Sequence, residues 1–248
     1  MKKINFLSLF LAFVILISCG NTNKMFSNAN KNNKNQNILD KITQSEAAKG
    51  IKEALVNGTG VGVDFLSKKD GFFKNLTYKI LLPPEVQKVE KKLREIGLGA
   101  ECDKVIENIN RGAESAVGEA KPIFVDAITS MTLNDAIGIV TGGNGAGTSY
   151  LKGATSEPLR IKFTPIIQAA LDKSSATKYW KELVTKYNKI PLVKKVNPDL
   201  NAHVTGKALE ALFSQIEIEE NKIRLDPLKR SSEILKKVFN YADLFKKK

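Results

Sequence analysis

Histidine, cysteine, tryptophan and methionine are all scarce in these 248 residues, at one, two, one and three copies, and acids fall short of bases by 26 to 39. Each shortage excludes something. A single histidine, His203, cannot furnish the two Glu-x-x-His motifs of a di-iron bundle. Without a Cys/His cluster or an H-E-x-x-H, zinc sites of the familiar kinds are excluded as well. A Ser-His-Asp triad would have to recruit His203, and no G-x-S-x-G elbow accompanies it. His203 therefore reads as a surface or capping residue. No catalytic residue, metal or cofactor is assigned. Runs of strict alternation are also rare, which leaves little room for sheet.

What is present begins at the N-terminus. MKKINFLSLFLAFVILISCGN opens with Lys2 and Lys3 and continues with an apolar run from Ile4 to Ile17, broken only by Asn5 and Ser8. A spanning helix needs about 20 apolar residues, so this run is short for a membrane span and fits the core of a secretory signal. Leu16-Ile17-Ser18-Cys19 matches the bacterial lipoprotein signal, which is cleaved before the cysteine. The thiolate is the nucleophile that takes the diacylglyceryl group, and the new amine is acylated. One acyl chain holds a protein only marginally, whereas two or three hold it firmly. The expectation is a signal peptide over 1–18, lipidation at Cys19 and a chain anchored to a membrane without spanning it. Gly20 after the cysteine, in place of Asp, favours the outer membrane facing the periplasm; the outer face of the cytoplasmic membrane is the alternative.

Gly20 to Asn37 contains eight Asn and three Lys, with only Met25 and Phe26 large and apolar. Such a segment cannot bury enough surface to offset chain entropy, and 19–37 reads as a disordered tether. Charge is unevenly spread. Residues 38–177 carry 18 basic and 17 acidic side chains, whereas 178–248 carry 16 and 9. The basic C-terminal part suggests attraction to anionic headgroups through Lys229, Arg230, Lys236 and Lys237. Nucleic acid is not an expected partner, because no base-reading element accompanies the charge.

From Ile38 to Lys248 the apolar spacing is three and four, which predicts a single all-α, bundle-like domain of about eight or nine helices. Thr43-Gln44-Ser45-Glu46 forms a capping box. The glycines of VNGTGVGVD signal either close helix packing or a break. Residues 76–82, ahead of Pro83-Pro84, are the one stretch expected to be extended. Cys102, Val105, Ile106, Ile109, Ala113 and Ala116 share one helical face, which makes Cys102 a buried structural thiol. Pro122 opens another helix, and a helix over Ser156–Lys173 is expected to bend or restart at Pro165. Asn197-Pro198-Asp199 signals a helix start, followed by the stripe Leu200, Val204, Ala208, Leu212, Ile216 and Ile223. A last helix is expected near Ser232–Phe245.

The segment TGGNGAGTSYL, from Thr141, packs four glycines into six positions. A Walker loop would need Lys where Thr148 stands, and a Rossmann loop would need G-x-G-x-x-G after a strand. The preceding TLNDAIGIV reads as a capped helix, so the loop is a helix–turn–helix connection in which Thr148 or Ser149 caps the second helix. Free amides at that helix start could still hold an anion. Glu119 and Asp126, seven apart, and Asp135 form a candidate acid group. Tyr150, Tyr187 and Asn188 lie beside the unusual loops and are candidates to line a groove.

Several long stretches carry a resemblance. They are KPIFVDAITSMTLNDAIGIVTGG from Lys121, TSYL from Thr148, YNKIPLVKKVNPDL from Tyr187, VTGKALEALFSQIEIEENKIR from Val204, and Ile234–Phe239. Gly50–Leu55 and Ile96–Gly99 extend it. The chain resembles the bacterial family of domain of unknown function 4197, from about Ala47 to Phe239. The resemblance implies an exported, mostly helical protein of unassigned activity, and it brings no site residues with it. The glycine-rich loop departs from the family pattern, with Asn144 and Gly147 where an acidic residue and an alanine pair are usual. The expectation is a membrane-tethered envelope lipoprotein of unknown activity, a binding module for an envelope protein or small ligand. The alternatives are a hydrolase using a carboxylate pair and a helical carrier of an apolar ligand.

Overall fold

Thr43 starts the first helix as the capping box predicts. Its hydroxyl accepts the Glu46 N–H at 3.1 Å, and the Glu46 carboxylate accepts the Thr43 N–H at 3.0 Å. This computed structural model describes residues 42–173, 175–189 and 191–245. The expected signal segment, Cys19 and the tether lie outside the described residues.

Among the described residues the chain forms nine α-helices and no strand, so the fold is all-α as the apolar spacing implied. They are α1 (Gln44–Ser67), α2 (Gln87–Glu95), α3 (Gly99–Gly118), α4 (Lys121–Thr129), α5 (Leu133–Thr141), α6 (Ala146–Asp172), α7 (Ser175–Tyr187), α8 (Asn201–Leu225) and α9 (Glu233–Ala242). Short 3₁₀ turns occupy Pro227–Lys229 and Asp243–Phe245.

The long helices α1, α3, α6 and α8 build the centre. α6 packs on α3 and α8, and α1 packs on α3, α4, α5, α8 and α9. The α8 stripe Val204, Ala208, Leu212 and Ile216 is fully buried, as is the α3 stripe Val105, Ile109, Ala113 and Ala116. Each large apolar side chain so removed from water contributes about 1.5–3 kcal/mol before entropy is counted. Phe124 of α4 meets Phe213 of α8 edge to face, with centroids 6.1 Å apart.

The glycine-rich stretch of α1 is not a break, and Gly62 within it marks close packing. The helix runs unbroken through it, and a Cβ on Gly62 would stand 3.1 Å from Ile216 Cγ1 of α8. Two boundaries differ from expectation. α6 is one 27-residue helix that continues through both Pro158 and Pro165. Its buried face of Leu151, Thr155, Leu159, Phe163, Ile167 and Leu171 is seated between neighbours on both sides of each proline, and tertiary packing outweighs the missing N–H donors. α8 starts at Asn201, not at Asn197-Pro198-Asp199. There the side chains turn the chain before the helix, with Asn197 Oδ1 accepting the Asp199 N–H and Asp199 Oδ1 accepting the Asn201 N–H, both at 2.9 Å.

The segment expected to be extended, 76–82, turns through Tyr78 and then runs on without regular structure, joining no strand. Its partner is a side chain. Asn110 of α3, fully buried, accepts the Ile80 N–H and donates to the Ile80 carbonyl, both at 2.8 Å. The two bonds reproduce what one residue of a neighbouring strand would offer.

Candidate functional site

The glycine-rich loop is a turn between α5 and α6, as the sequence implied. Gly145 stands at φ +70°, and α6 begins one residue later. The first turn of any helix presents unpaired N–H groups and a partial positive charge. Here a carboxylate from the same chain takes them. Glu220 of α8 accepts the Gly147 N–H at 2.9 Å, and the Thr148 N–H and hydroxyl, both at 2.7 Å. Asn221 accepts the Gly145 N–H at 3.1 Å. Thr148 therefore does not cap α6 in the expected way, since its hydroxyl donates to Glu220. The amides that could have held a free anion are occupied. A Cβ on Gly147 would lie 2.6 Å from Leu55 Cδ2, so glycine here allows α1, α6 and the Glu220 carboxylate to meet.

Arg224, one turn along α8, completes the arrangement. Its Nε donates to Glu220 at 2.8 Å, and its terminal nitrogens donate to the Ile139 carbonyl at 2.8 Å and the Val140 carbonyl at 3.4 Å. A buried ion pair thus places its anion at the start of α6 and its cation on the last carbonyls of α5, each at the helix end its sign suits. Both side chains are 3% exposed. Arg230, 2% exposed, closes the end of α8 by donating to the Ile223 and Arg224 carbonyls at 3.1 and 2.9 Å, and it pairs with Asp243 at 3.0 Å.

The sequence-derived candidates take separate places. Glu119 ends α3 and pairs with Lys162 at 3.4 Å. Asp126 is exposed on α4. Asp135 closes the capping box of α5 with Thr132, whose hydroxyl and N–H hold its carboxyl below the usual aspartate range. Among the described residues no three His, Cys, Asp or Glu side chains are grouped to hold a metal ion. Tyr150 is half-buried, and burial together with the charge of Asp135 pushes its phenol up. Tyr187 packs against the core. Asn188 grips the chain eight residues on, donating to the Val196 carbonyl at 2.7 Å and accepting its N–H at 2.9 Å. His203 is half-buried, with Nε2 2.9 Å from the Leu81 carbonyl.

The basic C-terminal set needs correction. Lys229 is exposed, but Arg230 is buried with its charge spent on backbone carbonyls and Asp243. Lys236 pairs with Glu233 at 2.7 Å and Lys237 with Glu46 at 2.6 Å. The four do not form one free cationic face.

Two of the open grooves among the described residues flank α8. One, of about 480 Å³, runs between the 77–82 segment and α8, past His203 and Lys207. The larger, of about 660 Å³, lies between α1 and α8 and is lined by Val56, Gly60, Val61, Glu219, Lys222 and Ile223, with Lys229 at its rim. Val56 and Val61 are 43% and 52% exposed, and nothing lies within 4 Å of a Cβ built on Gly60. A glycine inside a helix costs about 1 kcal/mol relative to alanine, and no internal contact uses the space that Gly60 leaves. This groove escaped the sequence reading; its one signal was Gly60, the glycine of VNGTGVGVD that the packing of α1 on α8 does not require.

With the fold and these sites described, comparison adds one assignment. The chain belongs to the family described as Protein of unknown function (DUF4197), whose model matches residues 41–240. No curated protein and no solved structure matches it.

Proposed function

We propose that this chain is an envelope lipoprotein, held at a membrane through Cys19 on the periplasmic side, that acts as a non-enzymatic binding module. The groove between α1 and α8 is its binding surface. One observation carries this reading: α1 turns two valines and an open glycine toward a groove of about 660 Å³, within the 300–1,000 Å³ typical of ligand sites. Of the buried charges near the end of α8, Glu220, Arg224 and Arg230 are committed to helix ends.

The test is native mass spectrometry of the chain purified from its own envelope, beside a Gly60→Trp variant that fills the groove. A retained mass lost in Gly60→Trp, with an unchanged urea midpoint, supports the proposal. No retained mass, or one indifferent to Gly60→Trp, overturns it. For the anchor, the native chain should incorporate radiolabelled palmitate in its own cell and Cys19→Ser should not; labelling of the variant, or no labelling of the native chain, would overturn that part.

A further inference from the structure

Asn188 and Val196 form a fixed neck, and Leu192, which lies between them in sequence, is an unusual tip. At the neck, the two hydrogen bonds from the Asn188 side chain to Val196 close the loop, and Val196 is itself buried in the core. At the tip, Leu192 has φ +66° and is 106% exposed. A left-handed backbone is uncommon for any residue with a Cβ, and leucine lacks the short polar side chain that lets Asn or Asp adopt it readily. Leu192 therefore carries two unfavourable features, strain and full hydration, in a loop whose base is held in place.

Around the tip the charge is of one sign. Lys189, Lys194 and Lys195 are exposed and make no ion pair among the described residues, and no acid occurs between Glu182 and Asp199. Other exposed leucines lack this setting. Beside Leu76, Lys74 is paired with Asp70 at 3.2 Å and Lys79 lies over the Phe73 ring. Leu228 has Lys229 beside it, but its neighbour Arg230 is buried.

We infer that Leu192 and the lysines around it are a membrane-contact element, in which Leu192 enters the interface of an anionic bilayer while Lys189, Lys194 and Lys195 meet its headgroup phosphates. Together the two features call for anionic groups lying over an apolar layer. A bilayer satisfies both, since lysine stems lie along apolar surface while their ammonium groups reach the phosphates. The inference rests on the chain working at a membrane, not on the manner of its attachment. It moves the membrane-facing charge from the C-terminal lysines to the other end of the basic region.

The test places an environment-sensitive fluorescent amino acid at position 192, or at position 228 as control, in the full chain reconstituted on vesicles. The vesicles are phosphatidylcholine alone or mixed with phosphatidylglycerol, with brominated acyl chains as quencher. The expected result is a blue shift and quenching at 192 on anionic vesicles, neither of them at 228. Replacing the three lysines by glutamine should weaken insertion about 100-fold, at roughly five-fold per lysine. A probe at 192 that stays in water on anionic vesicles overturns the inference. So does equal quenching at 228, or a shift at 192 produced by soluble polyglutamate without lipid. Because every variant keeps its attachment, loss of the loop contact is distinguishable from loss of the anchor. Leu192→Gly, which removes both strain and the apolar tip, should raise the urea midpoint; a lowered midpoint would show that Leu192 is needed for folding and overturn the assignment.

Discussion

Asn110 and Ile80 are bound by a reciprocal pair of hydrogen bonds, the side-chain amide of one meeting both backbone groups of the other at 2.8 Å. Asn110 Nδ2 also donates to the Ile106 carbonyl at 2.7 Å, so the side chain has no spare rotamer. An irregular segment that would otherwise hold a buried, unpaired N–H is fixed to α3 in this way.

Asn110→Leu should therefore cost more than a surface substitution. It strands a buried donor and acceptor, each worth about 1–3 kcal/mol when unsatisfied. The expected outcome is a urea midpoint lowered by that order, together with faster amide exchange at Ile80. Exchange at Ile80 unchanged from the native chain would show that the pairing contributes nothing.

Glu220 gives a second prediction. Glu220→Ala takes the carboxylate from the buried Arg224 guanidinium and unpairs the Gly147 and Thr148 amides, a loss of about 3–5 kcal/mol. Glu220→Gln, which keeps an oxygen acceptor but no charge, should fall between the two. Gly147→Ala should be destabilising for a separate reason, the 2.6 Å approach of its Cβ to Leu55. Equilibrium unfolding of the three variants orders them, and a Glu220→Ala chain as stable as the native one would contradict the arrangement.

Acid should loosen the fold in a defined window. Asp70 is held below its ordinary value of 3.8 first by its hydrogen bond to Arg111, and Asp135 by Thr132; Glu46 is held below 4.5 first by Lys237. A depressed folded-state value means the contribution is present above the unfolded value and is lost as pH falls through the folded one. The midpoint of thermal unfolding should drop as pH falls from about 5 toward 2. Asp70→Asn should be less stable at neutral pH and show a shallower acid limb; an unchanged limb would exclude Asp70 as a contributor.

Cys102 is 2% exposed, and burial pushes its thiol up, so the thiolate is scarce as well as hidden. It lines a space of about 10 Å³ with Trp180, the single tryptophan, whose indole N–H has no hydrogen-bond partner among the described residues. In the folded chain, reaction of Cys102 with a water-soluble disulfide reagent should be slow and become fast only in denaturant. Over the same transition the emission of Trp180 should move to the red. Rapid reaction at full native fluorescence would mean that α7 lifts from α3 without unfolding.

Periodicity made the helices legible, because burial of one face leaves its mark at three- and four-residue spacing. The stripes on α3 and α8, the capping boxes at Thr43 and Thr132 and the Ser232 start of the last helix all lie where the sequence placed them. What sequence could not reveal depends on partners far along the chain. Glu220 sits on the α8 stripe, four residues after Ile216, and its charge there was the only sign of a buried role; the amides it serves lie 72 and 73 residues away. Pro165 read as a bend or restart because the neighbours packed along the buried face of α6 are not local. Arg230 read as a surface charge for the same reason.

The phosphate-loop likeness ends in an intramolecular stand-in. The Glu220 carboxylate is tied to the cradle it fills by α8 and the core around it, so it competes as though present at a concentration far above any dissolved phosphate. A nucleotide or free anion would have to evict a resident ligand that cannot diffuse away, and would pull that carboxylate from Arg224 in doing so. The loop is in that sense already saturated, and its glycines serve the assembly of the protein and not the capture of a guest.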